Sequence, residues 1–171
     1  MRIVAGPCQH ESYQQSRAIA EHCKSICDRL GIDYYFKASY DKANRSSIQG
    51  KRGIGLAATL TDFLALKVEL GVKTLTDVHD YEQVSRIERE FKDAVDVYQI
   101  PAFLCRQTDL IKAACATAKT VNIKKGQFLA PWDVSGILDK TEGAREVWIT
   151  ERGTSFGYNT LVVDYTGIHY M

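Results

Sequence analysis

No apolar run in this 171-residue sequence approaches the roughly 18 residues that a membrane-spanning helix requires. The start, Met1-Arg2-Ile3-Val4-Ala5, leads into a Gly6-Pro7 turn without the apolar core of a secretory signal peptide. Excess charge of one sign is also missing, since 22 Lys and Arg stand against 21 Asp and Glu for a formal net charge of +1. Nucleic-acid binding through overall basicity and an acidic solvating tail are thereby excluded, so any anion site has to be a local cluster. The cysteines at 8, 23, 27, 105 and 115 are odd in number and four lie among apolar neighbours, which argues against a secreted disulfide framework. Low-complexity segments and linkers are absent too. A cytoplasmic chain with reduced thiols is expected, with no nucleic-acid or membrane partner.

A hydrophobic content of 45% suffices for one core, and the length is too short for two ordinary domains, so a single domain over 1–171 is expected. Short apolar stretches repeatedly give way to a polar cluster and then to an amphipathic segment, the rhythm of βα units around a parallel sheet. Strands are expected at Ile3–Ala5, Tyr34–Phe36, Val72–Thr76, Val95–Ile100, Thr120–Ile123 and Val147–Thr150. Ser12 is placed to cap a helix whose apolar stripe is Ala18, Ile19, Cys23, Ile26 and Leu30, and Gly31 to stop it. Further helical stripes run through Leu60, Phe63, Leu64 and Leu70, through Val84, Ile87 and Phe91, through Leu110, Ala114 and Cys115, and through Val134, Ile137 and Leu138.

Ligands of parallel α/β folds collect at the carboxyl ends of strands, and here those ends are heavily loaded. They carry Gly6-Pro7-Cys8, the run Lys37 to Lys42, Asp77-Val78-His79, Gln99, Asn122 with Lys124 and Lys125, and Glu151-Arg152-Gly153. Lys37, Lys42, Arg106, Lys124 and Arg152 are candidates to converge on one phosphorylated or carboxylated small ligand. Asp77 and His79 alternate at one strand exit and so point the same way; they suit a metal or a sugar hydroxyl as well as an ordinary polar strand end. Cys8-x-His10 offers two soft metal donors, or else Cys8 is a buried turn thiol. Cys23 and Cys27 share a helix stripe with core packing and Cys115 reads the same way, while Cys105 lies in a short turn. Gly50-Lys-Arg-Gly-Ile-Gly55 lacks P-loop spacing and reads as a flexible connection.

The run Lys37-Ala-Ser-Tyr-Asp-Lys-Ala-Asn-Arg-Ser-Ser47 closely resembles the signature loop of the 3-deoxy-D-manno-octulosonate 8-phosphate (KDO 8-phosphate) synthase family. Five further segments resemble that family in the same order. They are Gly6-Pro7-Cys8 with Glu11-Ser12, Thr76–His79, Gln99–Asp109, Asn122–Asp133 and Thr150–Asn159, so the resemblance covers essentially the whole chain. It implies a (β/α)8 barrel that condenses phosphoenolpyruvate with arabinose 5-phosphate in lipopolysaccharide inner-core biosynthesis. It also implies phosphoenolpyruvate binding by Lys37, Ser39, Lys42, Gln99, Arg106, Lys124 and Arg152, with Lys124 the candidate for proton transfer. Asn44, Arg45 and Ser46 would hold arabinose 5-phosphate, beside Asp77 and His79.

The related 3-deoxy-arabino-heptulosonate 7-phosphate synthases use erythrose 4-phosphate and usually read Lys-Pro-Arg-Thr-Ser where this chain has Lys42-Ala-Asn-Arg-Ser-Ser47, which favours the five-carbon acceptor. Cys8 resembles the ligand of the metal-dependent members, implying iron, zinc or manganese and no organic cofactor; the family's histidine, glutamate and aspartate ligands are not supplied by motif. A barrel of this kind takes about 250 residues, so about six of eight βα units and a C-terminal truncation are expected. An anion-binding but catalytically incomplete fragment is the alternative. His10 departs from the family pattern and is expected at the surface rather than as a substitute ligand. The family is usually homotetrameric, with Pro101–Gln107 near a subunit contact.

Overall fold

β-branched and aromatic residues form the strands and the segments between them have helical period, so the chain alternates strand and helix as its pattern dictates. The computed structural model describes all 171 residues. The elements are β1 (Arg2–Gln9), α1 (Tyr13–Leu30), β2 (Asp33–Ser39), α2 (Leu56–Leu70), β3 (Lys73–Asp77), α3 (Tyr81–Glu90), β4 (Val97–Ile100), α4 (Thr108–Cys115), β5 (Thr120–Lys124), α5 (Val134–Leu138) and β6 (Glu146–Thr150). A short β7 (Thr154–Phe156) and β8 (Thr160–Val162) follow. Two compact units are distinguished, Met1–Asp77 with Ile87–Val97, and Val78–Arg86 with Tyr98–Met171.

In the first unit β1, β2 and β3 lie side by side in chain order and parallel. Their core is Phe36, Leu75, Leu60, Phe63 and Leu66, all fully buried, with Phe36 and Phe63 in edge contact at 5.5 Å between ring centroids. In the second unit β4, β5 and β6 follow in chain order, with β5 and β6 parallel. Tyr98, Ile100, Ile111, Val121 and Ile123 form its core. Parallel strands that neighbour one another in chain order through helical crossovers are the organisation of a (β/α)8 barrel, with about six of its eight βα units represented.

Ser12 caps α1 as expected, its side chain accepting from the amide of Gln15, and Gly31 ends that helix with its amide bonded to the Asp28 carbonyl. The buried face of α1 differs from the apolar stripe. Ser16, Ala20 and Cys27 are buried, whereas Ala18 and Leu30 are exposed. Ser16, a polar residue on the buried face, meets His10 Nδ1 there.

Gly6-Pro7 does not make a turn. β1 continues through it to Gln9 as a bulge, the two residues Gly6 and Pro7 opposing the single residue Lys37 between the pairs Ala5↔Phe36 and Cys8↔Ala38. The close approach explains the glycine, since a Cβ at Gly6 would lie 2.0 Å from the Lys37 carbonyl oxygen. Gly50–Gly55 is likewise a correction, being an ordered return rather than a flexible connection. Lys42 donates its amide to the Arg52 carbonyl at 2.7 Å, and Gly55 to that of Tyr40. Arg52 grips the Asp41 carboxylate through two N–H groups, and Gly53, at φ 116°, passes where a Cβ would meet the Tyr40 carbonyl. The β7–β8 hairpin, antiparallel from Thr154↔Val162 to Phe156↔Thr160, adds a pair of strands that the strand-helix rhythm does not predict.

Candidate functional site

In the first unit the carboxyl ends of β1, β2 and β3 carry the polar groups. Lys37 and Ser39 alternate on β2 and so share a face, while Lys42 arrives from the loop that follows. Both ammonium groups donate to one hydroxyl, Lys37 to Ser39 Oγ at 2.9 Å and Lys42 to the same atom at 2.8 Å. Lys37 also donates to the Cys8 carbonyl at 3.1 Å and stands 3.4 Å from Asp77 Oδ1, with the two side chains only 12% and 10% exposed. Asp77 faces Lys37 while the Lys42 ammonium meets only Ser39 and the Cys8 sulfur among the contacts described, a positive excess at the strand ends that suits an anion.

Cys8 belongs to this cluster. The bulge puts it at φ 66°, its side chain is exposed, and Lys42 donates to its sulfur at 3.1 Å. Burial of the sulfur opposes ionisation most, yet the Lys42 hydrogen bond and the charges of Lys37 and Lys42 together hold the thiol below its ordinary pKa. Cys115, by contrast, is pushed up to about 11 by burial alone. Cys8 is thus not the buried turn thiol, and the other cysteines are free, with Cys27, Cys105 and Cys115 buried as core packing requires.

Beyond Cys8 the chain is pinned residue by residue. Gln9 accepts at Oε1 from the Arg45 guanidinium at 3.0 Å, and Arg45 also donates to the Lys51 carbonyl. His10 is neither a surface residue nor a metal ligand. It is fully buried, with Nδ1 at 2.8 Å from Ser16 Oγ, Nε2 at 2.7 Å from Asp62 Oδ2, and its ring edge-on to Phe63. The core supplies two polar partners at the reach of both ring nitrogens, which makes burial of the imidazole tolerable.

In the second unit β5 ends at Lys124, half-buried, with Asn122 buried two residues earlier and bonded to the Thr150 hydroxyl of β6 at 2.7 Å. Gln99 is buried at the end of β4, its carbonyl accepting from the Val78 amide. Arg106 and Arg152 are exposed on loops, and Lys140 donates to the Arg106 carbonyl at 3.1 Å. His79 is held by Gln83, whose side-chain oxygen accepts from its amide and meets Nδ1 at 3.2 Å. Asn44 and Ser46 are exposed in the loop after β2.

Sequence reasoning passed over Gln9 and named Lys125 only as one of the polar groups at a strand end, without its burial. The period of two along a strand contained the signal for Lys125. Of two consecutive lysines at a strand end only one can face the ligand side, and the other must turn into the body of the protein.

No group of three or more His, Cys, Asp or Glu side chains is arranged to hold a metal ion. His10 is committed elsewhere, and a catalytic metal centre generally takes about three protein ligands. These residues therefore do not by themselves fit a complete metal site, and Cys8 is the soft donor that faces the strand-end cluster.

A βα-repeat domain with lysines gathered at its strand ends defines the class, an α/β barrel domain. The chain belongs to the DAHP synthetase I family, whose family model matches residues 1–171. It is similar to the 2-dehydro-3-deoxyphosphooctonate aldolase of Rhodopseudomonas palustris (strain BisB5), with 51% identity over 173 residues covering all of this chain and 59% of that protein. Proteins of the same name from Chelativorans sp. (strain BNC1) and Bradyrhizobium diazoefficiens are 51% and 52% identical, covering 100% and 95% of this chain and 61% and 57% of theirs. The chain spans about three fifths of the length of the curated relatives it matches. No helix is long and apolar enough to cross a membrane.

Proposed function

We propose that these residues are the larger part of a cytoplasmic KDO 8-phosphate synthase, a transferase joining phosphoenolpyruvate to D-arabinose 5-phosphate. The observation that carries the reading is the Ser39 hydroxyl bridged by the Lys37 and Lys42 ammonium groups at the end of β2. It is supported by relatives named 2-dehydro-3-deoxyphosphooctonate aldolase, about half identical over the whole chain. The 171 residues form one synthase domain in this reading, and the assembled protein is a homo-oligomer, for which the exposed Phe103 in the Pro101–Gln107 segment is a suitable contact.

The chemistry sets the roles. Phosphoenolpyruvate carries carboxylate and phosphate charges, for which the family resemblance supplies Lys37, Ser39, Lys42, Gln99, Arg106, Lys124 and Arg152 as partners. Each charge-assisted bond contributes about 1.5–3 kcal/mol. C3 of phosphoenolpyruvate forms a bond to the aldehyde carbon of the sugar, water adds at C2, and the tetrahedral intermediate breaks its C2–O bond to release inorganic phosphate. Lys124 is assigned the proton transfer at the new alkoxide, as the family resemblance implies. Asp77 and His79 are assigned to the acceptor by the family resemblance, and orienting two anions against their repulsion can supply about 7–11 kcal/mol of a rate enhancement. Cys8 would be one ligand of a divalent iron, zinc or manganese ion, the remaining ligands lying outside the residues assembled at these strand ends.

Asn44, Arg45 and Ser46 hold the sugar phosphate, Arg45 being presented by Gln9. Arabinose 5-phosphate is therefore expected to bind at least ten-fold more tightly than erythrose 4-phosphate by calorimetry. Arg45→Ala is expected to remove most of that affinity, with equal binding of ribitol-type sugars lacking a phosphate before and after the change. Equal affinity for both aldose phosphates would favour the seven-carbon synthase reading instead, and binding of neither would leave an anion-binding fragment.

A further inference from the structure

A lysine excluded from water is costly unless every donor has a partner. Lys125, next to the candidate proton-transfer residue Lys124, is 1% exposed, so it cannot reach a substrate. Its Nζ lies 3.0 Å from the carbonyl oxygen of Gly153, 3.3 Å from those of Gly126 and Leu129, and 3.4 Å from the Thr154 hydroxyl. A fifth oxygen, Glu151 Oε2, stands at 3.7 Å, while the other oxygen of that carboxylate accepts from the Gly153 amide. Three carbonyls, one hydroxyl and one carboxylate around a single positive charge are the donors that a potassium or ammonium ion takes. A divalent ion would draw more carboxylates to shorter distances.

The five oxygens come from two loops, Gly126–Leu129 after β5 and Glu151–Thr154 after β6. These loops are also joined directly by the Ser155 amide donating to the Gln127 carbonyl at 3.0 Å and by the Lys125 amide donating to that of Thr150 at 2.9 Å. Lys124 and Arg152 immediately adjoin the caged residues. We propose that Lys125 is a positioning residue, a tethered ammonium filling a monovalent-cation cage and thereby fixing the loops that present Lys124 and Arg152. The cage stands on the geometry alone, whereas the consequence for phosphoenolpyruvate rests on the function proposed above.

Removal of the side chain takes away the ammonium facing the Glu151 carboxylate and one donor from each of the Gly126, Leu129 and Gly153 carbonyls. The cavity left by alanine is then open to an ion of the same size. Thermal unfolding of the full chain and phosphoenolpyruvate titration are to be compared for the unaltered protein, Lys125→Ala and Lys125→Met, in chlorides of sodium, potassium, ammonium and tetramethylammonium at one ionic strength. In sodium, Lys125→Ala is expected to melt about 10 °C lower and to bind phosphoenolpyruvate about ten-fold more weakly. Ammonium or potassium should restore at least half of both losses in that variant only, because the methionine side chain occupies the cage without its charge.

Identical melting of Lys125→Ala in all four salts overturns the cage. Restored melting with uncorrected phosphoenolpyruvate affinity overturns the positioning role. Salt-restored melting in a protein whose unaltered form does not bind phosphoenolpyruvate supports the cage and counts against the proposed function. If Lys125→Ala is unfolded in sodium, refolding on ammonium addition supports the proposal and failure to refold contradicts it.

Discussion

Replacing His10 by alanine is expected to lower the unfolding free energy by about 3 kcal/mol or more, measured by denaturant titration. The imidazole is fully buried and connects three elements, Ser16 of α1 at 2.8 Å, Asp62 of α2 at 2.7 Å and the strand β1 that carries it. Its removal costs the ring contact with Phe63, opens a cavity, and leaves the buried Ser16 hydroxyl without this partner. These effects combine rather than compete. The pairwise part is separable, because His10→Ala with Ser16→Ala should cost less than the sum of the single changes, the hydroxyl having lost its desolvation penalty. A loss under 1 kcal/mol for His10→Ala would show that the imidazole is a peripheral group.

The second large effect is expected at Lys42. Lys37 is the wrong residue to remove, since it faces the buried carboxylate of Asp77, and breaking such a pair costs about 3–5 kcal/mol of stability on its own. Lys42 donates to Ser39 and to the Cys8 sulfur. Lys42→Met keeps most of the side-chain volume while deleting one of the two charges that bridge Ser39. Affinity for phosphoenolpyruvate should fall by about ten-fold or more, the equivalent of one charge-assisted bond, with the melting temperature nearly unchanged. The Cys8 thiol should also become harder to ionise, since its strongest stabilising contact is gone. Unaltered phosphoenolpyruvate affinity in this variant would remove Lys42 from the site.

The same residues show how far a sequence can be read. All six strands, the Ser12 cap and the Gly31 stop were legible because each depends on local preferences, β-branched runs, a hydroxyl before a helix and a glycine after it. Lys37 and Lys42 were legible as strand-end cations because ligand groups of parallel sheets collect at the carboxyl ends of strands, and Ser39 entered through the family resemblance. The bulge at Gly6-Pro7 was not, since a Gly-Pro pair commonly marks a turn and only the approach of the Lys37 carbonyl makes it a strand.

His10 was misread for a related reason. The bulge changes the facing of the residues after it, and the two partners that permit burial lie six and fifty-two positions away. The Gly50–Gly55 return depends on Asp41 and Tyr40, and the β7–β8 hairpin turns through Gly157 and Asn159 at φ 58° and 61°, a left-handed pair that runs without a preceding apolar strand signal. Interactions between distant segments, rather than local propensities, decided each of these.

The most direct measurement is calorimetric titration of the 171-residue chain with phosphoenolpyruvate, with pyruvate and inorganic phosphate as comparators, for the unaltered protein and for Lys42→Met and Lys124→Met. Saturable binding near one equivalent per chain is expected, tighter for phosphoenolpyruvate than for either comparator because carboxylate and phosphate are engaged together, and weakened about ten-fold or more in each variant. Absence of saturable binding by the unaltered chain, or the same affinity in all three proteins, would contradict an anion site built from the strand-end lysines.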